Sequence, residues 1–443
     1  MRDPISPRKT LAFPFAICTS HSRLRAITLI WAMTMFACGD PQQPLQDVAH
    51  AIGIDASPDR LSTLRQFAID RVLDYRVSSG ARAGFVALVA NDQGLVYART
   101  VGAADRESNV KMTLDTRFRI SSMTKPITAV AAMLLVEDGR LALDDAVSDY
   151  LPSFEKMEVV TARTADGGWE SAQLLSPIRV RHLLTFTSGI GGYAESKDLL
   201  DRAWRSPDIE VAGLGSLADR IERVADLPLY EQPGSRWRYG WSADVLARVV
   251  EVAAGKPYDQ FLRERVFEPL AMHRTSFPDD VPSDAAFAKM YTHDEDGSLF
   301  RDPQFDDYYG RGWTPGGGGL VSSGPDFLRF AMMLANGGVL GDVRVLSAAS
   351  VAEMTRLHVA EGVLADMDLE GLGWGLGMSV VADATKTSMP SSNGDFWWSG
   401  RFGTQFWVSP AKRSVVVVMQ QTETGPYSDM PVTPTLVQVL AMP

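Results

Sequence analysis

Apolar runs near the two ends of the chain predict the strands of a single sheet. Near the start, residues 84–90 and 95–98 are apolar and are separated by turn-forming residues, a pattern typical of a β-hairpin. Near the end, apolar runs at 405–408 and 414–419 flank a second turn. We expect the strands from the two ends to pair in one antiparallel sheet.

The residues around and between these strands carry apolar positions at helical spacing. One amphipathic helix is predicted before the first hairpin, at 59–77. Further helical patterns, interrupted by Gly- and Pro-rich loops, lie at 127–137, 180–184, 217–224, 243–254 and 325–334. The pattern predicts an α/β (α+β) fold, in which an antiparallel sheet is flanked by helices and a mostly helical lobe is inserted between its halves.

The first 38 residues have the pattern of a signal peptide. Two arginines precede an apolar stretch at 26–37 that is too short to span a bilayer. The stretch ends in Met-Phe-Ala-Cys, which resembles a bacterial lipoprotein cleavage site with methionine in place of the usual leucine. The resemblance implies lipidation of Cys38, and ordinary signal cleavage near Ala37 is the alternative. Either route predicts an exported protein, periplasmic or anchored to the membrane as a lipoprotein.

The segment after the signal peptide predicts a linker. Residues 39–58 lack a sustained apolar period and begin with a Pro-Gln-Gln-Pro stretch at 41–44, so we predict a tether between the anchor and the enzyme. The catalytic domain is then predicted to occupy 59–443. A single α/β unit with an inserted helical region accounts for this length.

Composition and charge restrict the partners of the chain. Hydrophobic residues make up 45% and charged residues 22%, which are the proportions of a folded globular protein. The formal net charge is −11 although the first 37 residues are basic, so the body of the protein is strongly acidic. An acidic body repels phosphate backbones, and no basic stripe offsets this. We therefore expect no nucleic-acid partner, and membrane contact only through the N-terminal anchor.

No sequence pattern predicts a metal or a cofactor. The six histidines lack zinc-ligand spacing, and both cysteines, Cys18 and Cys38, lie in the signal segment. Residues 294–297 faintly resemble a calcium loop but lack the later bidentate acid. The glycine run at 316–319 lacks the lysine of a phosphate-binding loop, and the sequence contains no Gly-x-Ser-x-Gly, which disfavours an α/β-hydrolase.

The spacing Ser-x-x-Lys recurs along the chain, but only Ser122 and Lys125 precede a long apolar helix, at 127–136. Residues three apart share a helix face, so the ammonium group can reach the hydroxyl. Burial lowers a lysine pKa from about 10.4, and the helix N-terminus favours a developing oxyanion. We predict Ser122 as nucleophile and Lys125 as the base that activates it. On spacing alone, the alternative is an N-capping serine with a solvated lysine.

The segment 122–128, Ser-Met-Thr-Lys-Pro-Ile-Thr, resembles the nucleophile helix of β-lactamase-related esterases, the family VIII carboxylesterases. Class C β-lactamases and D-alanyl-D-alanine carboxypeptidases of the penicillin-binding-protein type are relatives of that group. The similarity continues in motif order through 181–189 and 316–323. It implies a β-lactamase/transpeptidase-like fold and a two-step reaction through an acyl-enzyme.

The resemblance also implies a catalytic tyrosine in the segment 233–242, where Tyr239 is the match. Beside Lys125 this phenol is expected to ionise below its free pKa of about 10, and to carry the serine proton to the leaving group. Trp241 stands where β-lactamases have the asparagine of Tyr-x-Asn, so an amide group is missing. Structural packing of the aromatic residues is the alternative.

The third motif implied by the resemblance is Trp398-Ser399-Gly400, at the place of Lys-Thr-Gly in β-lactamases. That lysine binds the substrate carboxylate, and tryptophan commonly replaces it in the esterases. The Arg401 N–H would be the second oxyanion donor beside that of Ser122. An Arg401 side chain pointing into the cleft would favour anionic substrates, and a simple turn at Ser399-Gly400 is the alternative.

The sequence therefore predicts a cofactor-independent serine hydrolase that acts on short-chain carboxylic esters. Hydrolysis of β-lactams or D-amino-acid peptides, as by a β-lactamase, a carboxypeptidase or a D-aminopeptidase, stays open, as does acyl transfer to an acceptor other than water. A rival of another class is a non-catalytic cell-wall binding or sensor protein. The intact set of Ser122, Lys125 and Tyr239 argues against that rival.

Overall fold

The computed structural model describes residues 45–192, 199–204, 215–282, 287–306, 312–359, 370–423 and 432–441. The chain divides into two units, Met1–Pro44 and Leu45–Pro443. The predicted signal segment, Cys38 and residues 39–44 of the predicted tether lie outside the described residues.

An antiparallel sheet of eight strands, in the order β12-β13-β14-β15-β16-β1-β2-β3, joins the two ends of the chain. Strand β1 pairs with β16 so that Leu88 lies opposite Val417, which confirms the predicted pairing of the chain ends. The remaining strands form two-stranded pairs, β4 with β9, β5 with β6, β7 with β8 and β10 with β11. In chain order the strands are β1 Gly84–Asn91, β2 Gly94–Asp105, β3 Val110–Lys111, β4 Arg117–Arg119, β5 Glu158–Arg163, β6 Trp169–Gln173, β7 Tyr291–His293, β8 Leu299–Arg301, β9 Val321–Ser323, β10 Val339–Leu340, β11 Val343–Arg344, β12 Leu372–Trp374, β13 Ser379–Val381, β14 Phe396–Ser399, β15 Gln405–Ser409 and β16 Ser414–Met419.

Six predicted helices lie within a few residues of their patterns, whereas the helices at 45–51, 199–204, 258–262, 348–355 and 432–441 were not predicted. All the α-helices of the described residues take labels in chain order. They are α1 Leu45–Ala51, α2 Thr63–Ser78, α3 Thr124–Glu137, α4 Val180–Leu184, α5 Leu199–Trp204, α6 Leu217–Ala225, α7 Ser242–Ala254, α8 Tyr258–Leu262, α9 Gly324–Ala335, α10 Ala348–Thr355 and α11 Val432–Ala441. Helix α2 begins four residues later than predicted because the Ser62 side chain caps it by accepting the Arg65 N–H. The structure therefore confirms the predicted α/β architecture, an antiparallel sheet flanked by helices.

The folded unit begins earlier than the tether prediction placed it. Helix α1 buries Val48 and Ala49, and the chain after it exchanges backbone hydrogen bonds with Leu95 at the start of β2. The helix is too short for its few buried positions to produce a recognisable apolar period.

Helix packing explains where the site forms. Helix α9 packs against β1, β15 and β16, whereas α2 packs against α11 and β2. Helix α3 is buried at every position from Thr124 to Leu135 and packs against α7 of the helical lobe. Its N-terminal end is preceded by a 3-10 turn, Ser121–Met123, which contacts strand β14. Within the described residues, no helix has the length and apolarity needed to cross a membrane.

Candidate active site

Ser122 lies in the 3-10 turn that leads into α3, two residues before the α-helix begins. The preceding residue, Ser121, has a φ of 47°, a conformation that non-glycine residues rarely adopt. The Ile120 N–H donates to the Leu320 carbonyl, and a Cβ on Gly400 would overlap the Ile120 carbonyl oxygen. Strand β14 and the glycine-rich segment before β9 therefore hold the chain in the bend that presents Ser122.

Lys125 is brought to Ser122 as the helical spacing predicts. Its Nζ donates to Ser122 Oγ at 3.1 Å and to the Gly317 carbonyl at 2.5 Å. The side chain is only 1% exposed, and this burial lowers the pKa of Lys125 to about 7, although the charge of Asp244 opposes the shift. A lysine with that pKa is partly neutral at physiological pH and is suited to act as a general base.

Tyr239 completes a hydrogen-bonded group with Ser122, but its ionisation differs from the expectation. Its ring lies over Lys125, with Nζ 4.5 Å from the ring centroid, and its hydroxyl accepts the Trp398 Nε1–H at 3.2 Å. Burial raises the pKa of Tyr239 above its usual value, more than the hydrogen bonds with Ser122 and Trp398 lower it. The expectation of a depressed pKa is therefore wrong, because the closed site penalises the phenolate most strongly. In the resting site Tyr239 is a neutral phenol.

Aromatic side chains enclose Tyr239. Phe186 stacks on it at 5.2 Å between ring centroids, Trp237 stacks at 5.8 Å, and Trp398 lies at 5.7 Å. Trp374 contacts Trp398 edge-on at 4.6 Å. Sequence reasoning did not single out Phe186, although it lies in the 181–189 motif, or Trp374, which no motif marked.

Trp241, a predicted site residue, packs against a further tryptophan. It precedes helix α7, and its ring pairs with Trp313 at 6.2 Å between centroids. The Trp313 ring in turn carries the Arg220 guanidinium at 4.1 Å. The structure thus brings Trp241, Trp313 and Arg220 together at the start of helix α7.

The segment Trp398-Ser399-Gly400 is both a strand end and a turn. Trp398 pairs with Phe406 across β14 and β15, and the Gly400 N–H donates to the Thr404 carbonyl at 2.8 Å as the hairpin turns. The strand end contacts the 3-10 turn that carries Ser122. The predicted substrate-binding segment therefore adjoins the predicted nucleophile.

The Arg401 side chain forms an ion pair with Glu423. Its Nε donates to both carboxylate oxygens of Glu423, at 3.0 and 3.1 Å, and the guanidinium lies 5.8 Å from the Phe305 ring centroid. Glu423 offsets the positive charge that was expected to favour anions. The role of the Arg401 N–H as an oxyanion donor stays a prediction.

The glycine run at 316–319 contacts Lys125 through the Gly317 carbonyl, which accepts a hydrogen bond from Lys125 Nζ. A Cβ on Gly316 would lie 2.5 Å from the Ala243 carbonyl oxygen, so the close approach of this loop to α7 requires glycine. Thr128 donates to the Gly316 carbonyl at 2.7 Å, which ties the loop to α3. Close packing against α3 and α7 therefore explains the glycine at position 316.

Asp244 is a buried acid on α7 that sequence reasoning missed. Its carboxylate accepts the Gly317 N–H at 2.9 Å, and burial raises its pKa while Lys125 lowers it. The sequence feature that could have revealed Asp244 is an acidic residue on the apolar face of the helical pattern at 243–254. Such a residue is expected to have a specific partner.

Histidine chemistry is not part of this site. His182 Nδ1 accepts the Arg179 N–H at 3.1 Å, and burial lowers the pKa of His182 to about 4, so the ring is neutral and structural. In the part of the chain that the structure describes, no three His, Cys, Asp or Glu side chains are grouped to hold a metal ion.

Comparison with known proteins gives matches that cover most of the chain. The Beta-lactamase family profile matches residues 69–439. Esterase EstB of Burkholderia gladioli is 32% identical over 377 residues, which cover 80% of this chain and 90% of EstB. Protein Rv1367c of Mycobacterium tuberculosis is 33% identical over 376 residues, which cover 80% of this chain and 89% of that protein.

A solved structure extends the similarity to three dimensions. EstCE1, described as a hydrolase with promiscuous acyltransferase activity, superposes with a TM-score of 0.74 at 27% identity, over 86% of this chain and 100% of EstCE1. The region matched by the family profile contains Ser122, Lys125, Tyr239 and Trp398.

Proposed function

The chain belongs to the beta-lactamase family and is a serine hydrolase, and from that premise we propose that it is a carboxylesterase forming an acyl-enzyme at Ser122. The observation that carries the proposal is the position of Trp398. Its indole donates to the Tyr239 hydroxyl, in the motif where carboxylate-binding relatives have a lysine.

In the proposed first step, neutral Lys125 accepts the proton of Ser122 as Oγ attacks the ester carbonyl carbon. The carbonyl π bond breaks and the oxygen becomes an oxyanion beside backbone N–H donors. When the C–O bond to the alcohol breaks, the phenol of Tyr239 protonates the departing alkoxide and recovers a proton from the Lys125 ammonium. Water then attacks the acyl-enzyme with the same groups reversing their proton transfers, which releases the acid and restores Ser122.

The surroundings of the site support neutral substrates. An anionic substrate without a cationic partner lacks a charge-assisted hydrogen bond worth about 1.5–3 kcal/mol. The Lys125 amino group, neutral in the reactive state, contacts Ser122 and Gly317, and the Arg401 charge is offset by Glu423. The aromatic rings around Tyr239 instead offer apolar surface, where each buried methylene of a short acyl or alcohol group contributes about 0.8 kcal/mol.

A comparison of two substrates tests this proposal. We expect kcat/KM for a short-chain neutral aryl ester to exceed that for benzylpenicillin by at least about a hundredfold, equivalent to about 2.7 kcal/mol in transition-state binding. Comparable values would favour β-lactam hydrolysis instead.

A fluorophosphonate probe separates an enzyme from the non-catalytic rival. The wild type should become covalently labelled at Ser122, whereas Ser122→Ala should not. A folded wild-type protein that resists labelling would favour a binding or sensor role.

Export and lipidation form a separate proposal that rests on the sequence of the first 38 residues. We propose that Cys38 carries the lipid that anchors the mature protein. The wild type should partition into detergent and carry diacylglycerol, and Cys38→Ser should lose both. A wild type recovered as a soluble periplasmic species would favour ordinary signal cleavage.

A further inference from the structure

Asp244 is a buried carboxylate that the proposed proton transfers do not use. It is 1% exposed, and its Oδ1 accepts the Gly317 N–H at 2.9 Å. Among the described residues its Oδ2 has no hydrogen-bond partner. A buried carboxylate is costly unless nearby charges and hydrogen bonds compensate for lost solvation, so its placement requires an explanation.

The Gly317 peptide connects Asp244 to the catalytic group. Its N–H binds Asp244, while its carbonyl oxygen accepts the Lys125 Nζ–H at 2.5 Å, and Lys125 Nζ also binds Ser122 Oγ. A Cβ on Gly317 would lie 2.5 Å from Asp244 Oδ2, a distance too short for a carbon and an oxygen that are not bonded. The carboxylate can therefore approach this peptide only if residue 317 is glycine. One peptide unit therefore links the carboxylate to the lysine.

The charged and titratable groups facing Asp244 come from each element packed around it. Lys125 on α3 and Arg220 on α6 act on it as cations, and the phenols of Tyr239 and of Tyr258 on α8 are neutral. Arg220 is fully buried against Trp313. The charge of Asp244 thus acts on two buried cations, and it partly offsets the effect of desolvation on the pKa of Lys125.

We propose that Asp244 is a positioning residue for Lys125, which holds Nζ against Ser122 through the Gly317 peptide and favours the protonated lysine by its negative charge. The inference rests on the proposed function, because it requires Lys125 to act as the base for Ser122. Asp244 itself touches neither the nucleophile nor the substrate in this scheme.

The variant Asp244→Asn separates the two contributions. It retains an oxygen that accepts the Gly317 N–H but removes the charge, so Lys125 should lose its proton more readily. We expect the acid limb of the serine reactivity profile to move to lower pH by about one unit. Asp244→Ala removes the acceptor as well, and should slow the reaction at every pH.

The experiment measures the rate of Ser122 labelling by a fluorophosphonate from pH 5 to 9, with thermal melting of each variant. The control is Asp326→Asn, which alters another buried carboxylate that accepts a backbone N–H, from Arg274 at 2.7 Å. The labelling rate of Asp244→Asn divided by that of the wild type should be about tenfold higher at pH 5.5 than at pH 8.5. This difference corresponds to a shift of one pKa unit. Asp326→Asn should lower only the melting temperature.

An Asp244→Asn profile with the wild-type midpoint would overturn the inference and leave the proposed function intact. A wild type that is not labelled at Ser122 would overturn both, and that failure is recognised without any variant. If Asp244→Asn does not fold, Asp244→Ser provides a smaller uncharged side chain with an acceptor oxygen and should show the same shift.

Discussion

The chain contains Ser-x-x-Lys at 122–125 and again at 409–412, and the two pairs have different surroundings. The first lies at the start of a buried helix, with Lys125 Nζ 3.1 Å from Ser122 Oγ. In the second, Ser409 ends strand β15 and donates to Asp395 at 2.6 Å, while Lys412 lies half-buried in the turn before β16. A helix places residues three apart on one face, whereas a strand followed by a turn does not. The same spacing therefore gives a hydrogen-bonded serine and lysine at the start of helix α3, whereas at the end of β15 the serine bonds to Asp395.

The largest expected difference comes from removing each serine. Ser122→Ala should lower ester hydrolysis by at least about a thousandfold with little change in the melting temperature, because it removes the nucleophile. Ser409→Ala should keep kcat but reduce the free energy of unfolding by about 1.5–3 kcal/mol, since it removes a buried hydrogen bond to a carboxylate. Ester kinetics and thermal melts of both variants check this. Residual Ser122→Ala activity near wild type would contradict the nucleophile assignment.

Removing each lysine is the next largest test. Lys125→Ala should lower kcat/KM by about a hundredfold or more, within the range expected for a lost general base. Lys412→Ala should leave kcat/KM within about twofold, because its half-buried side chain lies in the turn after β15, whose other end pairs with Ser399. If Lys125→Ala and Lys412→Ala had similar kcat/KM values, close to that of the wild type, Lys125 would not be the base.

A third variant tests whether the reactive pair requires its neighbouring phenol. Tyr239→Phe should lower kcat by about a hundredfold with a smaller change in KM, because it removes the proton donor and leaves the Trp398 Nε1–H without its acceptor. The matched variant Tyr97→Phe removes a hydroxyl that donates to Asp70 at 2.7 Å, and should affect stability alone. Equal kcat values for the two variants would remove Tyr239 from the mechanism.

The smallest expected effect is a pH dependence that the buried lysine should produce. Because the pKa of Lys125 is lowered to about 7, kcat/KM for a neutral ester should fall about tenfold per pH unit below pH 7 as the base becomes protonated. The unfolded chain keeps this proton up to about pH 10.5, so the group makes stability rise with pH between 7 and 10.5. Lys125→Met should lose that contribution in pH-dependent melts. An acid limb centred near pH 5 would contradict a lysine base.

Local patterns predicted what depends on residues close in sequence. The hairpin of β1 and β2, the course of α3 and the approach of Lys125 to Ser122 follow from periods of two and of 3.6 residues. The pairing of the chain ends followed from two apolar hairpin patterns, one near each end of the chain. Each hairpin needed a neighbouring strand to continue the sheet and cover its apolar residues. Helix α1 lacked enough apolar positions to be recognised in this way.

The contacts that decide the chemistry of the site join residues far apart in sequence. Trp398 meets Tyr239 across 159 positions, and Gly317 reaches Lys125 across 192. Short-range periodicity carries no information about such pairs, and the direction of a pKa shift depends on how completely they exclude water. The sequence by itself thus determined the two hairpins whose strands pair in the sheet, six of the helices, and the candidate nucleophile with its lysine. Only the tertiary structure decided that Tyr239 stays neutral and that Glu423 offsets the charge of Arg401. It also decided that Asp244 binds the Gly317 peptide that contacts Lys125. The reason is that burial and long-range contacts exist only once the chain has packed.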